Sequence, residues 1–440
     1  MKFKKFGKAL LMSALSAGAV LSVTSCVQSY TVGFLYVTGT VTAQTSGNGI
    51  ISGFKIDHNT GNLVPINGLP VASGGANPGR AVLLTGGRFL YVLNRGVNAE
   101  GGPNCTTADP CKNSNITQFA IGGNGILSQQ GTFFTQGNNP FRIIADAAGA
   151  FLYVLDHDSP SNSSCALALG SGVTSCGDIT SFKIDPTTGR LTLVVNAQVT
   201  SASGAALAFF PVPADPIDMV LTSGYILTLS GTPGTGDVAF PYTYSSSSGQ
   251  LTINQNSTQP LNVKQGTAIV FGGGLVYVLD NEPITVNGIT SPSQILPFTV
   301  GTGGSLQAQV SGAVADDPTQ SNPIYMLFES KGKFVYVANQ GNNTNTTGAQ
   351  SGIMGYIIDP SQHTLTNMPG SPFGSGAGPQ CLLEDPSDNF IYTANFNDST
   401  ITGRVINQQT GDLTSLRGTA AKNFTLTGPA AWCLVSGRTS

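Results

Sequence analysis

A short strand pattern that returns seven times constrains this chain more than any other feature. The stretch "FLYV" occurs at residues 34–37, 89–92 and 151–154, and the variants "LVYV", "FVYV" and "FIYT" begin at residues 275, 334 and 390. A weaker copy, "GYILTL", begins at Gly224. Recurrence at intervals of about 50 to 75 residues indicates one structural unit used repeatedly, each copy burying its apolar faces against its neighbours.

Three further strands accompany each copy. A pair of apolar stretches around a tight polar turn follows it, as in "ISGFKIDHNTGNLVPI" and "ITSFKIDPTTGRLTLV", where a glycine near the end of the turn supplies the positive φ of a hairpin. A proline-led apolar strand precedes most copies, as in "NPFRIIAD" and "DPIDMVL". The sequence therefore predicts an all-β, seven-bladed propeller of four-stranded antiparallel blades over residues 34–440.

The two ends of the predicted propeller complement each other. The chain begins at the second strand of a blade, and it ends on "GPAAWCLV", residues 428–435, which reads as a proline-led first strand without a blade of its own. We expect this C-terminal strand to complete the first blade, which closes the ring and removes exposed sheet edges.

The N-terminus reads as a secretory signal. Residues 1–25 carry four lysines and then an apolar run that is short for a membrane span, and "VTSC" ends at Cys26. This pattern resembles the lipobox of bacterial lipoproteins, which implies an exported protein held in the cell envelope by a lipid on Cys26, with residues 26–33 as a short tether. The alternative is ordinary signal cleavage nearby, with Cys26 unmodified.

The charge balance excludes one class of partner. Without the four signal lysines the chain has 15 basic against 22 acidic residues and no basic stripe, so the electrostatic footprint of a nucleic-acid binder is missing. We expect a monomer that contacts the membrane only through its N-terminal lipid. Its expected partners are an anionic small molecule, a sugar derivative or an envelope protein.

Six cysteines remain after Cys26, and an even number in an exported chain indicates disulfides. Six cysteines allow fifteen connectivities. Their spacing suggests the pairs Cys105–Cys111, Cys165–Cys176 and Cys381–Cys433. The last pair would join the C-terminal strand to the inner strand beside it.

One face of the propeller is predicted to carry long loops, at residues 38–49, 95–114, 157–177, 283–292 and 340–352. Both short disulfide pairs fall in these loops and would preorder them, which favours recognition at this face. Variable loops protected from proteolysis by their disulfides are the structural alternative.

His157 is the one histidine on that face, since His58 and His363 lie in the tight turns opposite. It stands between Asp156 and Asp158. Three adjacent residues cannot easily converge on one metal ion, so we expect no metal site. Asp156 ends its strand as Asn94 and Asn339 end theirs, and turn capping explains it as well as ligand binding does.

The second position after the inner-strand prolines carries the strongest candidates for ligand binding. These positions hold Arg80, Arg142, Asp218, Tyr325 and Cys381, in matching register if the strands align. Two guanidinium groups near the channel mouth, with Arg95 in the loop beside them, would suit a carboxylate, a phosphate or an acidic sugar. The alternative is that Arg80 and Arg142 form structural pairs with Asp218 or with loop carbonyls.

The repeats resemble the seven-bladed lactonase family, which includes bacterial 6-phosphogluconolactonase, and the related "YVTN" surface propellers. The resemblance covers nearly all of residues 34–440 and implies a lactone-opening site near the inner strands. This sequence departs from the family pattern at three points. Arg142 stands where a histidine is expected, and "KQGTAIVF" at 264–271 replaces a Pro-Arg-His stretch. Glu282 lies one residue after the position of the glutamate in the family pattern.

A binding scaffold is therefore the preferred interpretation, since water activation lacks its evident base. The alternative is a lactonase acting on the lactone of an acidic sugar, in which His157 or Glu282 activates water. We find no motif for a cofactor.

Overall fold

The computed structural model describes residues 30–41, 48–84, 86–96, 114–201, 203–231, 235–253, 258–341, 350–416 and 423–437. Within these ranges seven antiparallel sheets follow one another along the chain. The inner strands of successive blades lie side by side, and the inner strand of blade 7 contacts the inner strand of blade 1. The predicted seven-bladed propeller is confirmed, and its fourth blade is regular.

The inner strands of blades 1 to 7 are Ala430–Gly437, Pro78–Leu83, Asn138–Ala145, Pro216–Leu221, Gly266–Gly272, Pro323–Phe328 and Leu383–Glu384. The second strands are Thr31–Thr40, Phe89–Asn94, Phe151–Asp158, Tyr225–Ser230, Leu275–Asp280, Phe334–Asn339 and Phe390–Asn395. The third strands are Asn48–Asp57, Asn115–Ile121, Gly177–Ile184, Val238–Tyr244, Gln294–Val300, Gly352–Ile358 and Thr400–Ile406. The outer strands are Leu63–Pro65, Leu127–Phe133, Leu191–Leu193, Leu251–Ile253, Leu306–Ala308, Leu365–Asn367 and Leu413–Ser415.

Short additional elements decorate this plan. Five blades have a further strand against the third one: Val71–Ala76, Phe210–Val212, Gln259–Pro260, Val314–Ala315 and Asn423–Thr425. Two of the predicted long loops also contain regular structure: an α-helix, Ser163–Leu169, in blade 3 and a hairpin, Ile284–Val286 with Ile289–Ser291, in blade 5. A 3₁₀ turn spans Thr302–Gly304.

The C-terminal strand completes the first blade, as predicted. It pairs antiparallel with the first strand of the chain, with Leu35 opposite Val435 and Val37 opposite Cys433. Cys433 is bonded to Cys381 of blade 7. The two ends of the chain therefore share one sheet, and a covalent bond ties that sheet to its neighbour.

The repeated Phe-x-Tyr-Val motif joins neighbouring blades, which explains its recurrence. The buried Tyr36 hydroxyl donates to the Gly125 carbonyl in the tight turn of the next blade, at 2.8 Å. Tyr336 makes the same bond to Gly411 at 2.7 Å. A Cβ on Gly125 would lie 2.5 Å from the ring of Phe34, so the turn glycine lets the phenylalanine pack directly on its backbone. The tyrosine bond fastens blades 1, 2, 5, 6 and 7 to the next blade.

The strand directions define two faces. The third-to-outer turns, such as residues 57–62, lie at the end where each second strand begins, because Phe34 is opposite Lys55; we call this the trimmed face. The chain enters there, since the His58 amide donates to the Tyr30 carbonyl at 2.9 Å. The proline ends of the inner strands lie on the opposite, elaborated face, where the second strands end.

Candidate functional site

Seven equivalent positions on the inner strands form a ring near the elaborated face. In each blade the position lies opposite the fifth residue of the "FLYV"-type segment, as Arg142 lies opposite Leu155 and Asp218 opposite Leu229. The ring members of blades 1 to 7 are Trp432, Arg80, Arg142, Asp218, Ala268, Tyr325 and Cys381. The register thus aligns Arg80, Arg142, Asp218 and Tyr325 as the prolines suggested.

The residue before each proline helps to set this register. Asn77, Asn139, Asp215 and Asn322 each precede an inner-strand proline and adopt φ values of 49°, 56°, 53° and 55°. Asn and Asp tolerate this left-handed conformation better than other non-glycine residues. The Asn-Pro and Asp-Pro pairs of the sequence therefore mark a sharp entry into the inner strand.

Asp218 is the centre of the site. Its side chain is 2% exposed, and it accepts contacts from Arg80 Nη1 at 3.2 Å and Arg142 Nε at 3.0 Å. The backbone amides of Met219 and Ile269 also donate to this carboxylate, at 3.0 and 3.3 Å. Four donors around one buried carboxylate compensate for its lost hydration and hold both guanidinium groups in place.

Aromatic side chains close the opposite side of the ring. The Arg80 guanidinium lies 4.6 Å from the centre of the Trp432 ring, and Tyr325 meets Trp432 edge to face at 5.1 Å. The Arg80–Trp432 contact joins the adjacent blades 2 and 1. The Tyr325–Trp432 contact joins blades 6 and 1, and the Arg80–Asp218 pair joins blades 2 and 4, so these two contacts span blades that are not adjacent. Side chains therefore fill the central channel at this level and form a floor.

The site carries surplus positive charge. The pKa of Arg142 is lowered to about 9, mainly by burial and secondly by the positive charge of Arg80. Arg142 therefore stays protonated at neutral pH. Arg95 contributes to the same field and donates to Asn139 Oδ1 at 3.3 Å. We call Arg80, Arg95 and Arg142 the arginine cluster. Arg80 and Arg142 contact the single carboxylate of Asp218, and the charge of Arg95 acts on Arg142.

His157 and Glu282 are not brought together. His157 Nδ1 lies 3.1 Å from Asp158 Oδ1, and its Nε2 lies 3.9 Å from Asp215 Oδ1. Glu282 instead pairs with Lys264 at 2.7 Å. The second strand of blade 3 also continues through Asp158, so His157 belongs to a strand and not to the start of a loop. A shared water-activating pair of His157 and Glu282 has no geometric support.

Asp156 lies in the protein interior. It is directly opposite Asp178 in the neighbouring strand, both side chains are fully buried, and Thr180 Oγ1 donates to Asp156 at 3.1 Å. Burial raises the pKa of Asp156 to about 8 and raises that of Asp178 as well. Burial therefore favours the protonated form of these carboxyl groups, and Asp156, which has no solvent exposure, cannot reach a ligand.

Two of the three suggested disulfides lie within the described residues, and both are present: Cys165–Cys176 and Cys381–Cys433. Cys26, Cys105 and Cys111 lie outside those residues. Disulfides of this kind are typical of exported proteins.

Trp432 is the site residue that sequence reasoning missed. In blade 1 the ring position falls three residues after Pro429, because Thr38 is opposite Trp432 while Gly39 is opposite Ala430. The rule of two residues after proline therefore points to Ala431. The shifted aromatic residue gave no separate signal in the sequence.

A separate cavity of about 390 Å³ lies between blades 5 and 6, lined by Val286, Pro297, Val314, His363 and Leu365 among others. It holds no cluster of charged groups, and we place the candidate site at the arginine cluster because the charge converges there.

Within the described residues no group of three or more His, Cys, Asp or Glu side chains could hold a metal ion. No helix in the described part of the chain is long and apolar enough to cross a membrane.

The family follows from a comparison with known protein families. The model of the seven-bladed β-propeller lactonases matches residues 34–209 and 302–427, which is more than half of the chain. The chain belongs to this lactonase family. The unmatched interval between the two segments contains blade 4 and most of blade 5, including the "KQGTAIVF" stretch. A comparison with curated protein sequences gave no match.

Solved structures share the fold at low sequence identity. The Pseudomonas aeruginosa periplasmic gluconolactonase aligns with a TM-score of 0.63 at 15% identity, over 93% of this chain and 100% of its own. A proposed 6-phosphogluconolactonase from Bacteroides fragilis aligns with a TM-score of 0.62 at 17% identity, over 92% and 98%. At these identities the similarity concerns the fold alone.

Proposed function

We propose that this lactonase-family propeller is an exported scaffold that binds an anionic small molecule through the arginine cluster. The surplus of guanidinium groups over carboxylates carries this proposal. Arg80 and Arg142 are paired with Asp218, yet 14% and 23% of their side chains remain exposed. An anion that reaches them gains charge-assisted hydrogen bonds from donors that are already oriented.

The pairing with Asp218 fits both a structural and a binding role. One carboxylate cannot neutralise two guanidinium groups, and Arg95 adds a third beside them. Asp218 thus acts as an organiser that fixes the arginines in the absence of ligand. Preorganisation of this kind lowers the entropy cost of binding.

Titration calorimetry with gluconate, 6-phosphogluconate and inorganic phosphate tests the proposal. We expect saturable binding that weakens with salt and is lost in Arg142→Ala. Arg190→Ala is the matched control, because it removes the same charge from a trimmed-face turn without touching the site. Equal binding by both variants, or no binding of any of the three anions, would contradict an arginine-based site.

Lactone hydrolysis is the second candidate function, favoured by the family and by the setting of His157. This imidazole is flanked by Asp158 and lies 6.3 Å from the ring of Phe141, the residue next to Arg142. A carboxylate-oriented histidine near bound lactone could act as the general base. Titration of acid release from a lactone panel, including 6-phosphogluconolactone, with His157→Ala as the comparison, decides between catalysis and binding alone.

We also propose that Cys26 carries the lipid anchor in the cell envelope. Two disulfides and the fold shared with a periplasmic enzyme support export. We expect the protein from its native host to partition into detergent with a mass increase at Cys26. A Cys26→Ala variant should remain in the aqueous phase, and aqueous partitioning of the unmodified protein would exclude the anchor.

A further inference from the structure

A second set of residues lies directly above the floor of the channel. In blades 1 to 6 a pairing shift places one extra residue before the ring position, as at Ile217 and Ile324. In blade 7 the corresponding residue, Gln380, follows the isolated bridge between Pro379 and Asn395 and precedes the inner strand. In blades 1 to 7 these residues are Ala431, Gly79, Phe141, Ile217, Thr267, Ile324 and Gln380. All seven are partly exposed. We call this set the collar.

The collar is uncharged and offers few free hydrogen-bonding groups. Phe141, Ile217 and Ile324 are its bulky members, and Gly79 and Ala431 are small. The Thr267 hydroxyl already donates to the carbonyls of Leu279 and Pro323.

The remaining polar side chain of the collar is also engaged. Gln380 Nε2 donates to the Gly378 carbonyl at 3.2 Å. Arg95 lies at the level of the collar, since a Cβ on Gly79 would be 3.4 Å from its Cδ. A ligand passing the collar otherwise meets mainly apolar surface before it reaches Arg80 and Arg142 below.

An apolar collar above cationic groups should bind two kinds of carboxylate with different affinity. A sugar acid carries a hydroxyl on nearly every carbon, and hydroxyls that enter the collar would give up water without gaining protein partners. An aliphatic or aryl carboxylate buries its body favourably against the same surface. Both types present the same carboxylate to Arg80 and Arg142, so the collar alone discriminates between them.

We propose that the ligand of this protein is a carboxylate with an apolar body, whose charged end meets the arginine cluster while its body lies against the collar. This inference rests on the proposed anion-binding function. It assigns Ile217, Ile324 and Phe141 as specificity-determining residues.

Hexanoate and gluconate form a matched pair for the test, since each has six carbons and one carboxylate. We expect the purified protein to bind hexanoate at least tenfold more tightly than gluconate in titration calorimetry. Ile324→Ser should reduce that ratio severalfold. Ile126→Ser, which changes an exposed isoleucine in a trimmed-face turn, should leave the ratio unchanged and controls for nonspecific effects.

The outcomes separate the two proposals. Gluconate binding as tightly as hexanoate, with both lost in Arg142→Ala, would overturn the collar's role and leave the anion site standing. Hexanoate binding that survives Arg142→Ala would place the apolar ligand elsewhere and overturn this inference. If hexanoate, gluconate and inorganic phosphate all fail to bind, both proposals fall.

Discussion

Replacing Asp156 with asparagine should stabilise the protein, and the gain should grow as the pH rises. Asp156 and Asp178 face each other across two strands of blade 3 with no solvent exposure, and burial raises the pKa of Asp156 to about 8. The folded protein therefore holds a proton that the unfolded chain, with an ordinary pKa of 3.8, has released at neutral pH.

The sign and size of the effect follow from this difference. Since the folded state binds more protons, the contribution of this carboxyl is complete below pH 4 and is lost as the pH rises toward 8. One unit of pKa corresponds to about 1.4 kcal/mol, so about 4 kcal/mol is lost by pH 7. An asparagine amide can donate to Asp178 without binding a proton, and Asn94, Asn339 and Asn395 occupy the same strand position in other blades.

Urea unfolding of the wild type and Asp156→Asn between pH 4.5 and 8.5 measures the effect. The difference in unfolding free energy should rise by about 1.4 kcal/mol per pH unit until it levels off near pH 8. Asp185→Asn is the control, because backbone amides lower the pKa of this exposed carboxyl and no gain at high pH is expected. A difference that does not change with pH, or a variant less stable at pH 8, would refute the raised pKa of Asp156.

Three further predictions concern packing and the site. Gly137→Ala should destabilise the protein by roughly 1–3 kcal/mol in urea unfolding, because a Cβ there would lie 2.2 Å from Asp178 Oδ2; an unchanged midpoint would contradict this contact. Cys433→Ser should cost about 4 kcal/mol, since the lost disulfide closes a separation of 52 residues; the same measurement with and without reductant on the wild type checks it. Trp432→Leu should weaken anion binding severalfold in calorimetry through loss of the stacked partner of Arg80, and unchanged affinity would show that the indole does not position the guanidinium.

Repetition made the fold predictable, because the same side chains perform the same task in most blades. The tyrosine and phenylalanine of the "FLYV" segments contact the next blade's turn, so these contacts leave a periodic trace in the sequence. The inner-strand register was predictable for a related reason, since proline and the residue before it mark each strand entry.

The site was less predictable wherever one blade departs from the repeat. A single shifted residue after Pro429 hid Trp432 from the register rule. The pairing of Asp156 with Asp178 spans a loop whose length differs between blades, since the equivalent position Asn94 pairs with Asn115 and Asn395 pairs with Thr400. No fixed offset along the sequence therefore connects the two carboxyls. The separation of His157 from Glu282 depends on blade geometry, which spacing along the chain does not report.

The sheet shared by the strands Thr31–Thr40 and Ala430–Gly437 has a consequence for folding. Because Ala430–Gly437 supplies the inner strand of the first blade, the ring cannot close until these residues have been synthesised. Until then the strand Thr31–Thr40 presents an unpaired edge to its surroundings, which is a hazard for aggregation. The bond between Cys381 and Cys433 joins the inner strand of blade 1 to blade 7, so it locks the ring at the point where the two distant parts of the sequence meet.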